Sequence, residues 1–475
     1  MNQLKNSPMP KFITCLFCLF FVAPNLFAQQ NNRITLQEAV EIALENNVQI
    51  KRSENTIESQ QANVTQSRAQ FLPNLSASVN SGRSIGRQFD TSTGSITEQA
   101  GNRSSPNIQS SITLFNGWQN INNLRASRSS LSTAEDDHQR NRESIMFNTA
   151  SQFLAIILDE ELLSVAEDNL ETSRTQLEQV EAQVEVGMRP IVDQYNQEAE
   201  VASNELEVIQ RENALNFSKV TLIGILQIDP FEDYEFVSPG IEDQSMDAQD
   251  YVLTDLVDRA MANRKDIRAA DTYIETQRYS LSAAKGAHLP TISLGASLSS
   301  NYSSLQRDFN PAYDPDDNPN VPEVFDVSFA DQVFDRNINR SISLNISIPI
   351  FNRLNTRTNI QQREIEYKNA QLEMETLRIE VFQEIRQAYN DYSTYVQQME
   401  TTNTLERAAE KAYETEQERY NVGSSTLIEL NTASNQYVSA VSNRIQAQYR
   451  FIFQEKVLDF YLGQISPENL SEVMN

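Results

Sequence analysis

Histidine, cysteine and clustered carboxylates are the side chains with which this chain could do chemistry, and each is scarce or poorly placed. The only histidines, His138 and His288, lie far apart and in no catalytic motif, so imidazole has almost no partner for general-base or ligand work. The only cysteines, Cys15 and Cys18, sit inside an apolar run near the N-terminus. If that run is removed, no thiol remains for a disulfide, a thiolate metal site or a nucleophile. Carboxylates are plentiful, 65 Asp and Glu against 38 Lys and Arg, for a net charge of −27. Their tightest cluster, Asp314, Asp316 and Asp317, fits no calcium-loop spacing and reads as a solvated turn. The sequence therefore predicts no enzyme, no catalytic residue, and no resident metal or cofactor. A chain this acidic also repels phosphate backbones, which excludes nucleic acid as a partner.

Residues 1–28 carry Lys5 and Lys11, then the apolar stretch Phe12–Ala23, then Asn25-Leu26-Phe27-Ala28 before a polar Gln29-Gln30. This is the pattern of a cleavable secretory signal, with a mature chain starting near Gln29. Lipoprotein signals end at a cysteine, but here Leu19–Ala23 continues the apolar run past both cysteines, so a lipid anchor is disfavoured. No later segment approaches the ~18 apolar residues of a membrane helix, leaving an exported chain that is either soluble or a β-barrel.

The chain repeats itself. Leu36–Ile50 reads again as Leu253–Ile267, and Leu72-Pro73 returns at the same separation as Leu289-Pro290. Phe115-Asn116 returns as Phe351-Asn352 and Val186-Gly187 as Val422-Gly423, now at a second, longer but again constant separation. All of the extra length of the second half thus lies between Pro290 and Phe351. The unit is far longer than the roughly 20–50 residues of a solenoid repeat, so two halves, 29–250 and 251–475, share one plan.

Each half reads as helix, strand, loop, strand, very long helix, tight turn and long helix. Strict alternation marks strands at about 74–82, 107–115, 291–300 and 341–350, as in Ile342, Leu344, Ile346, Ile348 and Ile350. A soluble strand with one wet face has the same period. Here the length matches the ~9–11 residues of a tilted membrane strand, and an export signal precedes it. Four strands cannot close a barrel, and open edges in lipid are costly, so the chain must oligomerise; three copies would supply about twelve strands. Arg83–Pro106 and Asn301–Asn337, rich in Gly, Ser, Asn, Asp and Pro, read as surface loops.

Neither Trp118–Glu185 nor Leu354–Asn421 contains proline or glycine, so each predicts a helix of about 100 Å. A seven-residue seam runs through Ile156, Leu163, Leu170, Leu177 and Val184, and another through Tyr392, Met399, Tyr413 and Tyr420, broken by Glu406. Val186-Gly187-Met188-Arg189-Pro190 and Val422-Gly423-Ser424-Ser425-Thr426 reverse the chain into return helices, glycine supplying the positive φ. The fold class is therefore mainly α with a membrane β-barrel: a duplicated half-molecule whose antiparallel coiled-coil helices extend a strand domain.

These features resemble the TolC-type outer-membrane efflux family. The resemblance rests on the duplicated Leu-Pro before a strand, the Phe-Asn after the second strand, and Tyr420-Asn421-Val422-Gly423-Ser424-Ser425-Thr426-Leu427-Ile428-Glu429-Leu430 opening a long amphipathic helix. It covers about Leu36 to Gly463. It implies a homotrimer with a 12-stranded outer-membrane barrel and a periplasmic α-barrel. That trunk would dock a periplasmic membrane-fusion adaptor, backed by an inner-membrane pump of the resistance-nodulation-division or ATP-driven type. It further implies that Val186, Gly187, Met188, Val422, Gly423 and Ser424 are adaptor-contacting tips, and that Asp193, Tyr420 and Glu429 belong to the entrance gate. The family's gate arginine, two residues past the second glycine, is Ser425 here, while Arg189 sits two past the first, so the cation moves across the repeat. One of two gate acids remains as Glu429; the other is Thr432. The competing expectation is a periplasmic coiled-coil adaptor or scaffold, which would need a lipoyl-like β domain in place of two pairs of alternating strands.

Overall fold

The computed structural model describes residues 33–90, 94–237, 249–313, 316–317 and 324–466; the signal at 1–28 and Asp314 lie outside them. In chain order the elements are β1 (Arg33–Ile34), α1 (Leu36–Asn46), α2 (Val48–Ala69), β2 (Asn74–Asp90), β3 (Ser95–Asn116), α3 (Gln119–Glu185), α4 (Ile191–Leu226) and β4 (Glu235–Phe236). The second half runs α5 (Leu253–Asn263), α6 (Lys265–Gly286), β5 (Thr291–Ser299), β6 (Tyr302–Ser303), β7 (Arg307–Phe309), β8 (Val324–Asp326), α7 (Phe329–Asp331), β9 (Asn339–Ser347), α8 (Asn355–Asn421) and α9 (Leu427–Tyr461), with a π turn at Gln332–Arg336. The repeat recurs in the backbone. The long helices α3 and α8 have 67 residues each. The strand-to-helix turns both use left-handed residues, φ 66° at Trp118 and 63° at Leu354, and the helix-to-helix turns pair Gly187 (φ 74°) with Gly423 (φ 75°).

The composition of Arg83–Pro106 predicts a loop, and the structure has a hairpin instead. β2 and β3 pair without a register break from Asn74↔Ser111 to Asp90↔Ser95, so the ribbon projects well past the four-stranded part of the sheet. Backbone pairing holds it, and backbone pairing is indifferent to the glycines, serines and asparagines that suggested a loop. The Asn301–Asn337 segment likewise contains the ribbon β7–β8, the short β6 on β3, and α7.

The main sheet runs β2-β3-β5-β9, all antiparallel. Its register puts Ala77, Ile108, Leu298 and Arg340 in one row, then Ile112, Leu294 and Leu344, then Ile292 and Ile346, all on one face. The other face carries Ser76, Ser78, Gln109, Ser111, Ser293, Ser297, Ser341, Ser343 and Asn345. Among the described residues no helix covers either face, and Leu75, Val79, Ile342, Leu344 and Ile346 are exposed. A sheet uncovered on its apolar side in water would be an aggregation surface; in lipid the same face is the favoured one.

The core lies at mid-height, where α1, α5 and the ends of α4 and α9 wrap the long helices around Phe153, Ile157, Leu222, Leu226, Leu256, Ile385 and Leu458. Below it the seams pack as coiled coil: Ala166, Leu170, Ser173 and Val180 are buried on α3 and Tyr420 on α8, while Tyr392 of the second seam belongs to the core itself. Glu406, which interrupts the second seam, pairs with Arg444 of α9 at 2.8 Å. Above it, α6 crosses the β3–α3 junction so closely that a Cβ on Gly286 would lie 2.1 Å from the Gly117 carbonyl oxygen, a contact only two glycines permit. No helix among the described residues is long and apolar enough to cross a membrane.

Candidate functional site

The two helical turns at the end of the trunk away from the sheet bring most of the expected residues together. In the first, Val186 caps α3 and Gly187 takes the left-handed conformation, while the Met188 amide donates to the Gln183 carbonyl at 2.8 Å. The second repeats this, with the Ser424 amide donating to the Arg419 carbonyl at 2.8 Å. Such closures satisfy the last helical carbonyls, which is why the sequence stops at Gly in both halves. They leave Val186, Met188 and Val422 as exposed apolar side chains at the extreme end of the molecule, beside Gly187, Gly423 and Ser424.

Behind the tips, Arg189 joins the two halves. Its Nε donates to the Gln183 side chain at 2.6 Å, its NH1 lies 3.4 Å from Asp193, and its guanidinium sits 4.2 Å from the Tyr420 ring centroid. Tyr420 is buried with Val180, Leu427 and Leu430. Burial pushes its phenol above the usual range, an effect the Arg189 charge partly offsets. Gln176 approaches the hydroxyl and favours its ionised form, yet neither the hydroxyl nor the amide nitrogen completes a hydrogen bond of good geometry. The cation at the first turn therefore packs on the aromatic of the second. An arginine over a partly desolvated ring is worth about 0.5–2 kcal/mol.

Glu429 does not join this cluster. Its carboxylate accepts from the Thr426 amide at 2.9 Å and the Ser425 hydroxyl at 2.9 Å, and the Thr426 hydroxyl in turn accepts from the Glu429 amide. This is a capping box for α9. The backbone hydrogen bond at Thr426, followed by the Ser425 hydroxyl, holds its carboxyl below the usual glutamate range. Ser425, standing where the family's arginine would be, bonds Glu416 as well as Glu429. Because Gln can also serve in a capping box, Glu429→Gln should leave the first turn of α9 intact, while Glu429→Ala should let it fray. Amide hydrogen exchange at residues 428–430 checks this: faster exchange is expected in the alanine variant alone, and equal exchange in both variants would contradict the capping role.

Sequence reasoning missed a second set of cross-links one to two turns higher. Gln197 of α4, 1% exposed, donates to the Ser173 carbonyl at 3.0 Å and accepts from Asn431 of α9 at 3.0 Å. Asn435 donates to Glu200 at 3.0 Å. These contacts tie the two return helices together across a polar pocket lined by Gln176, Asn204 and Ser434 among others. Polar residues on long helices give no spacing signal for a partner in the other half.

His138 shares a hydrogen bond at 2.7 Å with Ser53, which lines a separate cleft between α2, α3 and α6.

The family described as outer membrane efflux protein matches residues 39–226 and 256–464, one block in each half. TolC of Vibrio cholerae is 21% identical over 424 residues, covering 86% of this chain and 86% of that protein. The outer membrane efflux protein BepC of Brucella suis is 21% identical over 437 residues, covering 92% and 87%. Among solved structures, the CmeC outer membrane channel of Campylobacter jejuni superposes with a TM-score of 0.74 at 18% identity, over 93% of this chain and 89% of that one. CusC does so with a TM-score of 0.75 at 16% identity, over 90% and 92%. Channels of this architecture, rather than adaptors, match nearly the whole length. The chain belongs to the outer membrane efflux protein family and is an outer-membrane exit channel with a trunk reaching into the periplasm.

Proposed function

We propose that three copies close head to tail into one duct, a 12-stranded barrel continued by a helical trunk, through which cargo leaves passively. The observation that carries this reading is a mismatch between the halves. On α8, Ile365, Leu372, Ile379 and Phe382 are exposed, Leu372 at 60%. Their counterparts on α3 in the repeat are Ser129, Asp136, Glu143 and Met146, all buried within the chain, Asp136 at 6%. Apolar side chains stand in solvent where the first half covers their counterparts, three of them polar. The cover in the first half includes α6, whose Thr272 carbonyl accepts from Ser129 and whose Arg268 pairs with Asp136. The equivalent of α6 is α2, and a second copy supplies it. The same holds lower down, where exposed Ile209 and Val220 of α4 correspond to buried Ile445 and Lys456 of α9.

The repeat also gives a register. Within the chain Ser111 faces Gly295 and Asn107 faces Ser299. Carried one half onward, Ser347 of one copy faces Ser78 of the next, and Ser343 faces Gly82. Such a heterologous contact repeats until the ring closes. Closure also removes both sheet edges, which lipid requires.

The polar sheet face then lines the pore, and the acidic chain favours cations within it. The narrow end is held shut by Arg189, Asp193 and Tyr420 with the Gln197–Asn431 contact behind them, and three Glu429 carboxylates ring the mouth. The exposed Val186, Met188 and Val422 with Gly187, Gly423 and Ser424 offer the tip to a periplasmic adaptor, through which an inner-membrane pump of a tripartite complex would load the duct. The paired substitution Leu372→Lys with Ile379→Lys tests the ring. In mild detergent the parent should run at three times the chain mass and the variant as monomer, since like charges would be buried at each junction. A variant that stays trimeric would remove the junction as drawn.

A further inference from the structure

Beyond the duct itself, we infer that the outer rim of the barrel carries a binding site for phosphorylated glycolipid headgroups of the outer leaflet, built from Arg83, Arg87 and Arg340. The hairpin β2–β3 runs away from the helical trunk, so with the trunk in the periplasm its free end faces outward. Its register is unbroken, so the face that presents Leu75, Ala77 and Val79 continues as Ser81, Arg83, Ile85, Arg87 and Phe89, opposite Ser104, Asn102, Ala100, Glu98 and Ile96. The apolar band therefore passes directly into a row where arginine alternates with exposed Ile85 and Phe89. Arg340 begins the same face of β9, opposite Leu298.

Within one copy Arg340 lies three strands from Arg83. The proposal rests on the ring reading, which brings them together. Ser104 faces Tyr302 in the chain, so Arg340 of one copy faces Ile85 of the next, flanked by Arg83 and Arg87. Three guanidinium groups then converge at the level of lipid headgroups, with Glu98 as the one acid on that face beside them. All three are exposed, and among the described residues none is in an ion pair. In a protein of net charge −27, three arginines without an acid partner gathered on one face make a local patch of positive charge. Guanidinium groups bind phosphate oxygens bidentately, and Ile85, Phe89 and Ile96 between them suit the base of an acyl chain.

The test is native mass spectrometry of the detergent-extracted channel titrated with diphosphoryl lipid A, with phosphatidylcholine as the neutral comparison. The parent should retain up to three lipid A molecules per trimer. Arg83→Gln, Arg87→Gln and Arg340→Gln combined should weaken retention by roughly two orders of magnitude and leave phosphatidylcholine unchanged. Inorganic phosphate at millimolar concentration should not displace the lipid, and displacement would mean a free-anion site instead. Oxidative cross-linking of Ser78→Cys with Ser347→Cys in the same background separates the two readings. Linked trimers that hold lipid A as well in the triple variant as in the parent overturn the rim site alone. Absence of linked trimers overturns the ring and the site with it.

Discussion

Leu344→Arg should destabilise the inserted channel by about 2–4 kcal/mol, whereas Ser343→Arg, one residue away on the same strand, should be tolerated. The two side chains lie on opposite faces of β9, Leu344 in a row with Leu294 and Ile112, Ser343 beside Gly295 and Ser111. If the apolar face meets lipid, an arginine near mid-depth there loses its hydration, with nothing across from it but hydrocarbon. On the other face the same charge stands in a wet lumen among serines. Folding titrations of the reconstituted protein in urea report the difference directly. Equal losses from both substitutions would mean that the sheet is covered on both sides by something other than lipid and water.

Arg189→Ala should open the periplasmic end. Arg189 is the one side chain that touches Gln183, Asp193 and the Tyr420 ring together, so it links the first turn to the second helix pair. Removing it takes away a cation–π contact and a partly buried ion pair. Together these are on the order of 1–3 kcal/mol per copy, enough to raise the open population about tenfold or more. Planar-bilayer recordings should show larger or longer openings. Glu429→Gln keeps the helix cap, and if three Glu429 carboxylates ring the mouth as proposed, it should reduce block by divalent cations without changing the closed conductance. If both variants conduct like the parent, Arg189 and Glu429 are ordinary helix-end residues and the closure lies higher, at Gln197 and Asn431.

Much of this was legible in the sequence because periodicity and helix breakers are local signals. Ile342, Leu344 and Ile346 alternate with serine and asparagine, and they occupy one face of an observed strand. Gly187 and Gly423 end uninterrupted 67-residue helices. The hairpin beyond Val79 was not legible: Ile85, Phe89 and Ile96 are too sparse among glycines and polar residues, and cross-strand backbone pairing leaves no mark in composition. The Thr426-Leu427-Ile428-Glu429 capping box was there to be read and gives Glu429 a structural duty that the gate reading alone did not include. The pairing of Gln197 with Asn431 could not be read, since it joins residues 234 apart through amides that fit any solvated helix.

In the ring we propose, the second half of one copy meets the first half of the next as the two halves meet within the chain. The most direct measurement of this contact is disulfide formation between Ser78→Cys and Ser347→Cys, in a chain whose only native cysteines, Cys15 and Cys18, lie before residue 29. A bridge needs Cα atoms within about 7 Å, while a slip of four residues moves them about 13 Å apart. Oxidation in outer membranes should therefore give covalent dimers and trimers for Ser78→Cys with Ser347→Cys, and only monomers for Ser78→Cys with Ser343→Cys. Monomers from the first pair, or equal cross-linking from both, would contradict the account.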